Sequence, residues 1–151
     1  MEFKIGAIVG VGGSLIANAF GGFDNALKTL IIFMIIDYVT GLIVAGVFNN
    51  SQKSGNGKLQ SHAGWKGICK KSMTLLMILI ANKLDLAVGT NFIKTAVVIT
   101  YTINEALSII ENASLMGVPI PNAIKKGIEI LESTNKDDEY YLKQINKEKK
   151  R

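Results

Sequence analysis

Residues 27–48 read LKTLIIFMIIDYVTGLIVAGVF, and this stretch decides the class of fold. Only Lys28 and Asp37 are charged within it. A helix that crosses the hydrocarbon core of a bilayer needs roughly 20 predominantly apolar residues. The stretch therefore predicts a transmembrane helix. The whole chain agrees with that class, since 48% of its 151 residues are hydrophobic and 19% are charged.

Three further apolar stretches accompany this one, at about residues 5–22, 73–88 and 92–111. The stretch 92–111 nearly reaches the required length, the stretch 5–22 is weakened by glycine, and the stretch 73–88 is short. We expect an all-α integral membrane helical bundle within residues 1–117, with four transmembrane helices. Three transmembrane helices are the alternative.

The placement of basic residues gives an independent test of this topology. If four stretches span and the N-terminus is cytoplasmic, the loop 49–72 and the C-terminal segment are also cytoplasmic. Fourteen of the 17 basic residues then lie inside, and only Lys28, Lys83 and Lys94 lie toward the outside. Insertion into bilayers produces this positive-inside distribution. It predicts a multi-pass protein with both termini in the cytoplasm.

Gly117, Pro119 and Pro121 end the last apolar stretch. Pro121 suits the first turn of a following helix. Apolar residues recur at helical spacing in the segment 118–132, which we expect to form an amphipathic helix lying at the inner membrane face. Residues 133–151 are charged and polar, and their composition predicts a disordered cytoplasmic tail.

The first stretch places small residues about four positions apart, a spacing that lets membrane helices approach closely. The helix-packing candidates are Gly6, Gly10, Gly13 and Ala17, with Gly41 in the second stretch. An alternative for this segment is a cleaved signal peptide, because Ala17-Asn18-Ala19 resembles a cleavage site. Glu2 offsets Lys4, however, so the start is barely basic.

Ionisable side chains inside the apolar stretches are the strongest functional signal, because an unpaired charge at the bilayer centre costs roughly 2.5–3.5 kcal/mol. Such groups must face a partner or water. We expect Lys83 to lie near the depth of Asp37 and to pair with it. The predicted pore or polar-face residues are Asp37, Lys83, Asn104, Glu105, Ser108, Glu111 and Asn112. Either they satisfy one another inside one bundle, or several copies turn them toward a shared aqueous opening.

Enzymatic chemistry is not indicated by the sequence. Cys69 and His62 are the only cysteine and the only histidine, so neither a disulfide nor a Cys/His metal site can form within the chain. No nucleophile–base pair or phosphate-binding glycine loop is present. We predict no enzyme activity, catalytic residue, metal or cofactor. The net charge of +5 could attract either nucleic acid or anionic lipid. The lysines crowd between and after the apolar stretches, and this placement favours anionic lipid headgroups over nucleic acid.

Four short motifs occur in a fixed order. They are DYVTGL at 37–42, GWKGICKK at 64–71, NEALSIIEN at 104–112 and GVPIP at 117–121. This succession resembles the toxin secretion/phage lysis holin family over roughly residues 27–131. The resemblance implies a homo-oligomer of the bacterial cytoplasmic membrane that opens holes and releases endolysin or a large toxin.

The same resemblance implies roles for particular residues. Asp37, Glu105 and Glu111 would line the opening or switch it, and Gly41 and Ser108 would allow close helix contact. The inner-interface anchors would be Trp65, Lys66, Lys70 and Lys71. A small ion channel or transporter, and a membrane adaptor without pore activity, are the alternative functions.

Overall fold

The computed structural model describes residues 12–53, 55–56, 58, 60–131 and 133. These residues form five helices and no strand, which confirms the all-α class. The helices are α1 (12–19), α2 (Asn25–Gly46), α3 (Ser61–Val88), α4 (Ile93–Leu115) and α5 (122–131). Gly6 and Gly10 and nearly all of the predicted tail lie outside the described residues.

One stripe of α2 builds the core of the bundle. Leu27, Leu30, Met34, Asp37 and Val44 are all buried, and together with Gly41 they follow an alternating three- and four-residue spacing. This spacing keeps side chains on one face of a helix. Ile78 of α3 and Val98 of α4 complete the apolar part of this core.

Helices α2 and α4 run parallel, and α3 runs antiparallel to both. Lys94 at the start of α4 bonds Asp24 at the start of α2. Asp85 near the end of α3 accepts hydrogen bonds from the start of α4. The starts of α2 and α4 and the end of α3 therefore meet at one end of the bundle, which we call the outer end.

Glycines with positive φ make the turns at the outer end: Gly21, Gly22 and Gly89. Gly21 has φ +70°, and a Cβ there would collide with the Asn82 side chain. Gly89 ends α3 in the left-handed conformation, with φ 77°. Left-handed backbone favours glycine because other residues meet a steric penalty there.

Helix α3 begins earlier than the sequence predicts. We expected the third apolar helix to start near residue 73, whereas α3 starts at Ser61 and takes up the second half of the predicted loop 49–72. At roughly 1.5 Å per residue its 28 residues reach about 42 Å. One face of residues 61–72 lies toward α2, where Gly64 and Gly67 approach Tyr38.

Two of the described helices, Asn25–Gly46 and Ile93–Leu115, are long and apolar enough to cross a membrane. Helix α3 is long enough, but Lys71, Lys83 and Asp85 lie within its last 18 residues. The four-span arrangement therefore stays a prediction, because residues 5–11 lie outside the described part of the chain.

Helix α5 folds back along α4. Ile128 is buried in one cluster with Ile103 and Ala106 of α4, and Leu131 packs beside them. The sequence predicts a helix resting on the membrane face. In the structure Ile128 of this helix packs against the middle of α4, after Gly117, with φ +78°, turns the chain back. The position of α5 relative to the membrane stays a prediction.

Candidate functional site

Asp37 is the centre of a charged cluster at the middle of α2. Its side chain is only 7% exposed. The Lys71 ammonium lies 2.9 Å from its Oδ2 atom, and the Lys53 ammonium lies 3.5 Å from its Oδ1 atom. A buried carboxylate needs such partners because desolvation penalises its charge.

Lys71 also contacts the carboxylate of Glu105 on α4. Asp37 and Glu105 each lie twelve residues after the start of their helix, about 18 Å along the axis. Because α2 and α4 run parallel, the two carboxylates reach similar depths. The Lys71 ammonium therefore ties α3 to both of the apolar helices at their midpoints.

Asn112 adds the second link between α2 and α4. Its side-chain amide donates hydrogen bonds to Asp37 Oδ1 at 3.0 Å and to Thr40 Oγ1 at 2.9 Å. A Cβ added at Gly41 would lie 3.8 Å from this amide nitrogen, so the glycine faces Asn112 across the helix contact. Gly41 thus lies where α2 approaches α4.

The structure brings together only some of the predicted polar-face residues. Asp37, Glu105 and Asn112 belong to the cluster, and Ser108 lines a cavity beside it. Asn104, Glu111 and Lys83 are exposed. Whether any of them lines a pore stays a prediction.

The predicted pair of Lys83 with Asp37 is wrong. Lys71 and Lys53 hold Asp37 instead. The reason is the early start of α3, which brings Lys71 within reach of Asp37. Lys83 then lies twelve residues further along α3, about 18 Å toward the outer end.

Sequence reasoning placed Lys71 among the interface anchors and so missed its role in the cluster. Its neighbours Trp65, Lys66 and Lys70 are exposed, and their role as interface anchors stays a prediction. The signal was present as Ala63, Gly67 and Lys71 at four-residue spacing, which marks one face of a helix.

Of the helix-packing candidates in α1, Gly13 has open space where a Cβ would lie, and Ala17 is half-buried. Gly117 ends α4, and Pro119 and Pro121 lead into α5. The Pro121 carbonyl accepts a hydrogen bond from the Ile124 N–H at 3.0 Å, which closes the first turn of α5.

At the outer end Asp24 caps α2. Its Oδ1 atom accepts the Leu27 N–H at 2.8 Å, and its Oδ2 atom accepts the Lys94 ammonium at 2.8 Å. Burial alone raises the pKa of Asp24, but the hydrogen bonds from Lys94 and Leu27 outweigh it. The pKa of Asp24 therefore lies below its ordinary value.

Asp85 joins α3 to α4 at the same end. Its carboxylate accepts hydrogen bonds from the Thr90 hydroxyl at 2.6 Å and from the backbone N–H groups of Ile93 and Lys94 at 3.0 and 2.8 Å. The first N–H groups of a helix have no partner within the helix. Asp85 supplies these partners for α4.

The outward faces of the apolar helices consist of large aliphatic side chains. On α2 the exposed fraction is 54% for Ile32, 58% for Ile35 and 48% for Val39. A soluble monomer rarely exposes a continuous apolar surface of this kind. These faces suit lipid, while the charged cluster lies between the helices.

Within the described ranges, no three His, Cys, Asp or Glu side chains are grouped so that they could hold a metal ion. The cluster holds helices together and pairs charges. It presents no nucleophile beside a general base.

The geometry thus consists of apolar helices around a buried ion cluster, and a family model matches the same part of the chain. Residues 14–133 match the model of the bacteriophage holin family. The chain belongs to the bacteriophage holin family.

Curated relatives resemble this holin-family chain over most of its length. A protein of Listeria innocua is 37% identical over 137 residues, covering 90% of this chain and 91% of the relative. A Listeria monocytogenes protein is 36% identical over 128 residues, covering 84% and 86%. The probable holin of Bacillus phage phi105 is 34% identical over 119 residues, covering 75% and 82%. No solved structure matches the chain.

Holins are a non-enzymatic, pore-forming class of protein. Family membership and the two apolar helices together indicate a membrane protein.

Proposed function

We propose that this chain is a holin that oligomerises in the bacterial cytoplasmic membrane and opens holes through which endolysin or a large toxin leaves the cell. The observation that carries the proposal is the Lys71 bridge between Asp37 and Glu105, buried among helices whose outer faces are aliphatic. A protein that only needs to span lipid gains little from charges at mid-helix, because each costs free energy there.

The direction of the helices supports a multi-pass topology. If α2 and α4 both span and run parallel, the chain must cross the membrane once more between them. Helix α3 runs antiparallel and, at about 42 Å, is long enough to make that crossing. With residues 5–22 as a further span, both termini lie in the cytoplasm, in agreement with the distribution of basic residues.

The mechanism is a rearrangement driven by concentration. At low density each subunit keeps its charged cluster paired between its own helices. The attraction between charges weakens when water replaces lipid and protein around them. Above a threshold density, subunits that share a water-filled opening can therefore separate Lys71 from the carboxylates and turn them to the water.

Controlled expression in a bacterium tests the proposal, with membrane potential and release of a folded reporter enzyme followed together. Loss of potential together with reporter release is the expected result. Loss of potential without reporter release would indicate a small channel, and no permeabilisation would indicate an adaptor. Either result contradicts the proposal.

Variants connect the cluster to the activity. Asp37→Leu and Glu105→Leu should leave membrane insertion intact and change the time of lysis or abolish it. Glu129→Leu is the matched control, because Glu129 is an exposed carboxylate on α5. If both cluster variants lysed cells on the unmodified schedule, the cluster would have no part in opening.

A further inference from the structure

Two adjoining cavities extend from the midpoints of α2, α3 and α4 away from the outer end, toward the loop that joins α2 to α3. The larger has a volume of about 420 Å³ and the smaller about 70 Å³. They share a wall formed by Asp37, Lys53, Ala63, Gly67 and Lys71. We call them together the basic cavity.

Every lysine between residues 49 and 72 lines the basic cavity. Lys66 and Lys70 line the larger part, Lys58 lines the smaller, and Lys53 and Lys71 line both. The carboxylates in its lining are Asp37 and Glu105.

The charges of the basic cavity do not cancel. Lys71 and Lys53 are held by the carboxylates of the cluster. That leaves Lys58, Lys66 and Lys70 as a surplus of three positive charges around one opening. A surplus of this size in a confined site attracts an anion.

The shape of the site also suits a bound group. Ala63 and Gly67 lie four residues apart on α3, and their small side chains leave the space that Lys66 and Lys70 flank. Gln60 makes no side-chain cap at the start of α3, and it lines the smaller cavity. The N–H groups of that first turn have no partner within the helix, and they add to the attraction for an anion.

From this arrangement we infer that the basic cavity binds a phosphate group, and that its source is the headgroup of an anionic phospholipid. Trp65 on α3 is 67% exposed beside Lys66. Tryptophan rings prefer the membrane interface, where headgroup phosphates lie. Basic pockets between membrane helices on the cytoplasmic side hold anionic headgroups in this way.

Titration of the purified full-length chain in uncharged detergent tests the inference. Phosphatidylglycerol is the probe, phosphatidylcholine is the neutral control lipid, and the fluorescence of Trp65, the only tryptophan, reports binding. We expect saturable binding of phosphatidylglycerol and not of phosphatidylcholine. Equal binding of both lipids, or of neither, would overturn the inference.

The decisive comparison uses two double variants with the same change of charge. Lys66→Gln/Lys70→Gln removes two surplus charges of the basic cavity, whereas Lys125→Gln/Lys126→Gln removes two exposed charges of α5. We expect the first pair to weaken phosphatidylglycerol binding by about tenfold or more and the second by less than about twofold. Equal weakening would mean that net charge alone attracts the lipid, and the site would be rejected.

Competition with inorganic phosphate distinguishes the two possible sources of the bound phosphate group, the lipid headgroup and the free ion. If inorganic phosphate fails to displace phosphatidylglycerol at millimolar concentration, the lipid headgroup is the ligand. If it displaces the lipid and its own binding depends on Lys66 and Lys70, the site still binds phosphate but takes the free ion, which would overturn the lipid source. The readout is binding rather than lysis, so a negative result leaves the proposed holin activity to its own test.

Discussion

The Lys71 ammonium lies 2.9 Å from Asp37 Oδ2 and also contacts Glu105, so one cation of α3 is shared by carboxylates on α2 and α4. Lys53 is a weaker partner of Asp37, since it is 3.5 Å away and 59% exposed. The three central helices are therefore coupled through a single side chain. Removing that side chain has a different consequence from removing either carboxylate.

Lys71→Met should destabilise the folded chain strongly, because it leaves the buried carboxylate of Asp37 and the partly buried carboxylate of Glu105 without their shared partner. Breaking a buried ion pair from one side costs about 3–5 kcal/mol. Unfolding in mixed detergent measures the loss. Lys70→Met is the control, because Lys70 immediately precedes Lys71 in the sequence and is exposed.

A rescue experiment distinguishes charge from packing. Adding Asp37→Asn and Glu105→Gln to Lys71→Met removes the unpaired charges and should recover most of the lost free energy. If Lys70→Met were as damaging as Lys71→Met, or if the triple variant recovered nothing, the shared bridge would not be a source of stability.

Asn112→Leu should loosen the contact between α2 and α4. The amide of Asn112 reaches Asp37 and Thr40, and its loss leaves a buried carboxylate oxygen short of a donor, at a cost of about 1–3 kcal/mol. Asn104→Leu is the same substitution at an exposed position of α4 and should change the free energy of unfolding little. Equal effects at the two positions would contradict the role given to Asn112.

The polar centre of the site was visible in the sequence because it interrupts apolar stretches. Asp37 occupies a position of the stripe that also contains Leu27, Leu30, Met34 and Val44. A carboxylate at a core position must find a partner, so its importance follows from burial and charge alone. The all-helical class followed from the length of the same stretches.

The partner of Asp37 was harder to predict because it depends on where α3 begins and how it is rotated. Residues 61–72 contain several lysines and other polar side chains, which is typical of a loop, yet they are helical and lie against Tyr38 of α2. A Cβ at Gly64 would lie 3.6 Å from the Tyr38 hydroxyl oxygen. A Cβ at Gly67 would lie 3.8 Å from the Tyr38 ring. The start and the rotation of α3 depend on its contacts with another helix. The periodicity of one segment does not reveal such contacts.

Acid should weaken the outer end through Asp24. The pKa of Asp24 is lowered in the folded chain. Its charge therefore contributes stability at pH values above the ordinary pKa of aspartate, about 3.9. This contribution is lost as the pH falls through the lowered pKa of the folded chain. Asp24→Asn keeps a good helix cap and removes only the charge. We therefore expect the variant to be less stable than the parent at neutral pH.

The difference between Asp24→Asn and the parent should shrink toward zero as the pH is lowered below the folded pKa. Thermal unfolding in detergent at a series of pH values measures it. Lys94→Met should abolish most of the same pH dependence, because Lys94 is the cation that holds the carboxylate. A difference that grew on acidification would reverse the sign and contradict the assignment.

The attachment of α5 should depend on Ile128. This side chain is 8% exposed and belongs to the cluster with Ile103 and Ala106, whereas Ile130 on the same helix is 65% exposed. Ile128→Ala removes the buried contact. Its expected cost is about 2 kcal/mol, at the lower end for such a change, because a cavity of about 470 Å³ already adjoins the site and little close packing is lost.

The protection of backbone amides in residues 122–131 from hydrogen exchange measures how firmly α5 is attached. Protection should fall by about tenfold or more in Ile128→Ala, since each 1.4 kcal/mol is a factor of ten, and should stay unchanged in Ile130→Ala. The charged side chains Lys125, Lys126 and Glu129 are exposed while α5 is attached. Equal exchange in the two alanine variants would show that α5 is not held against α4.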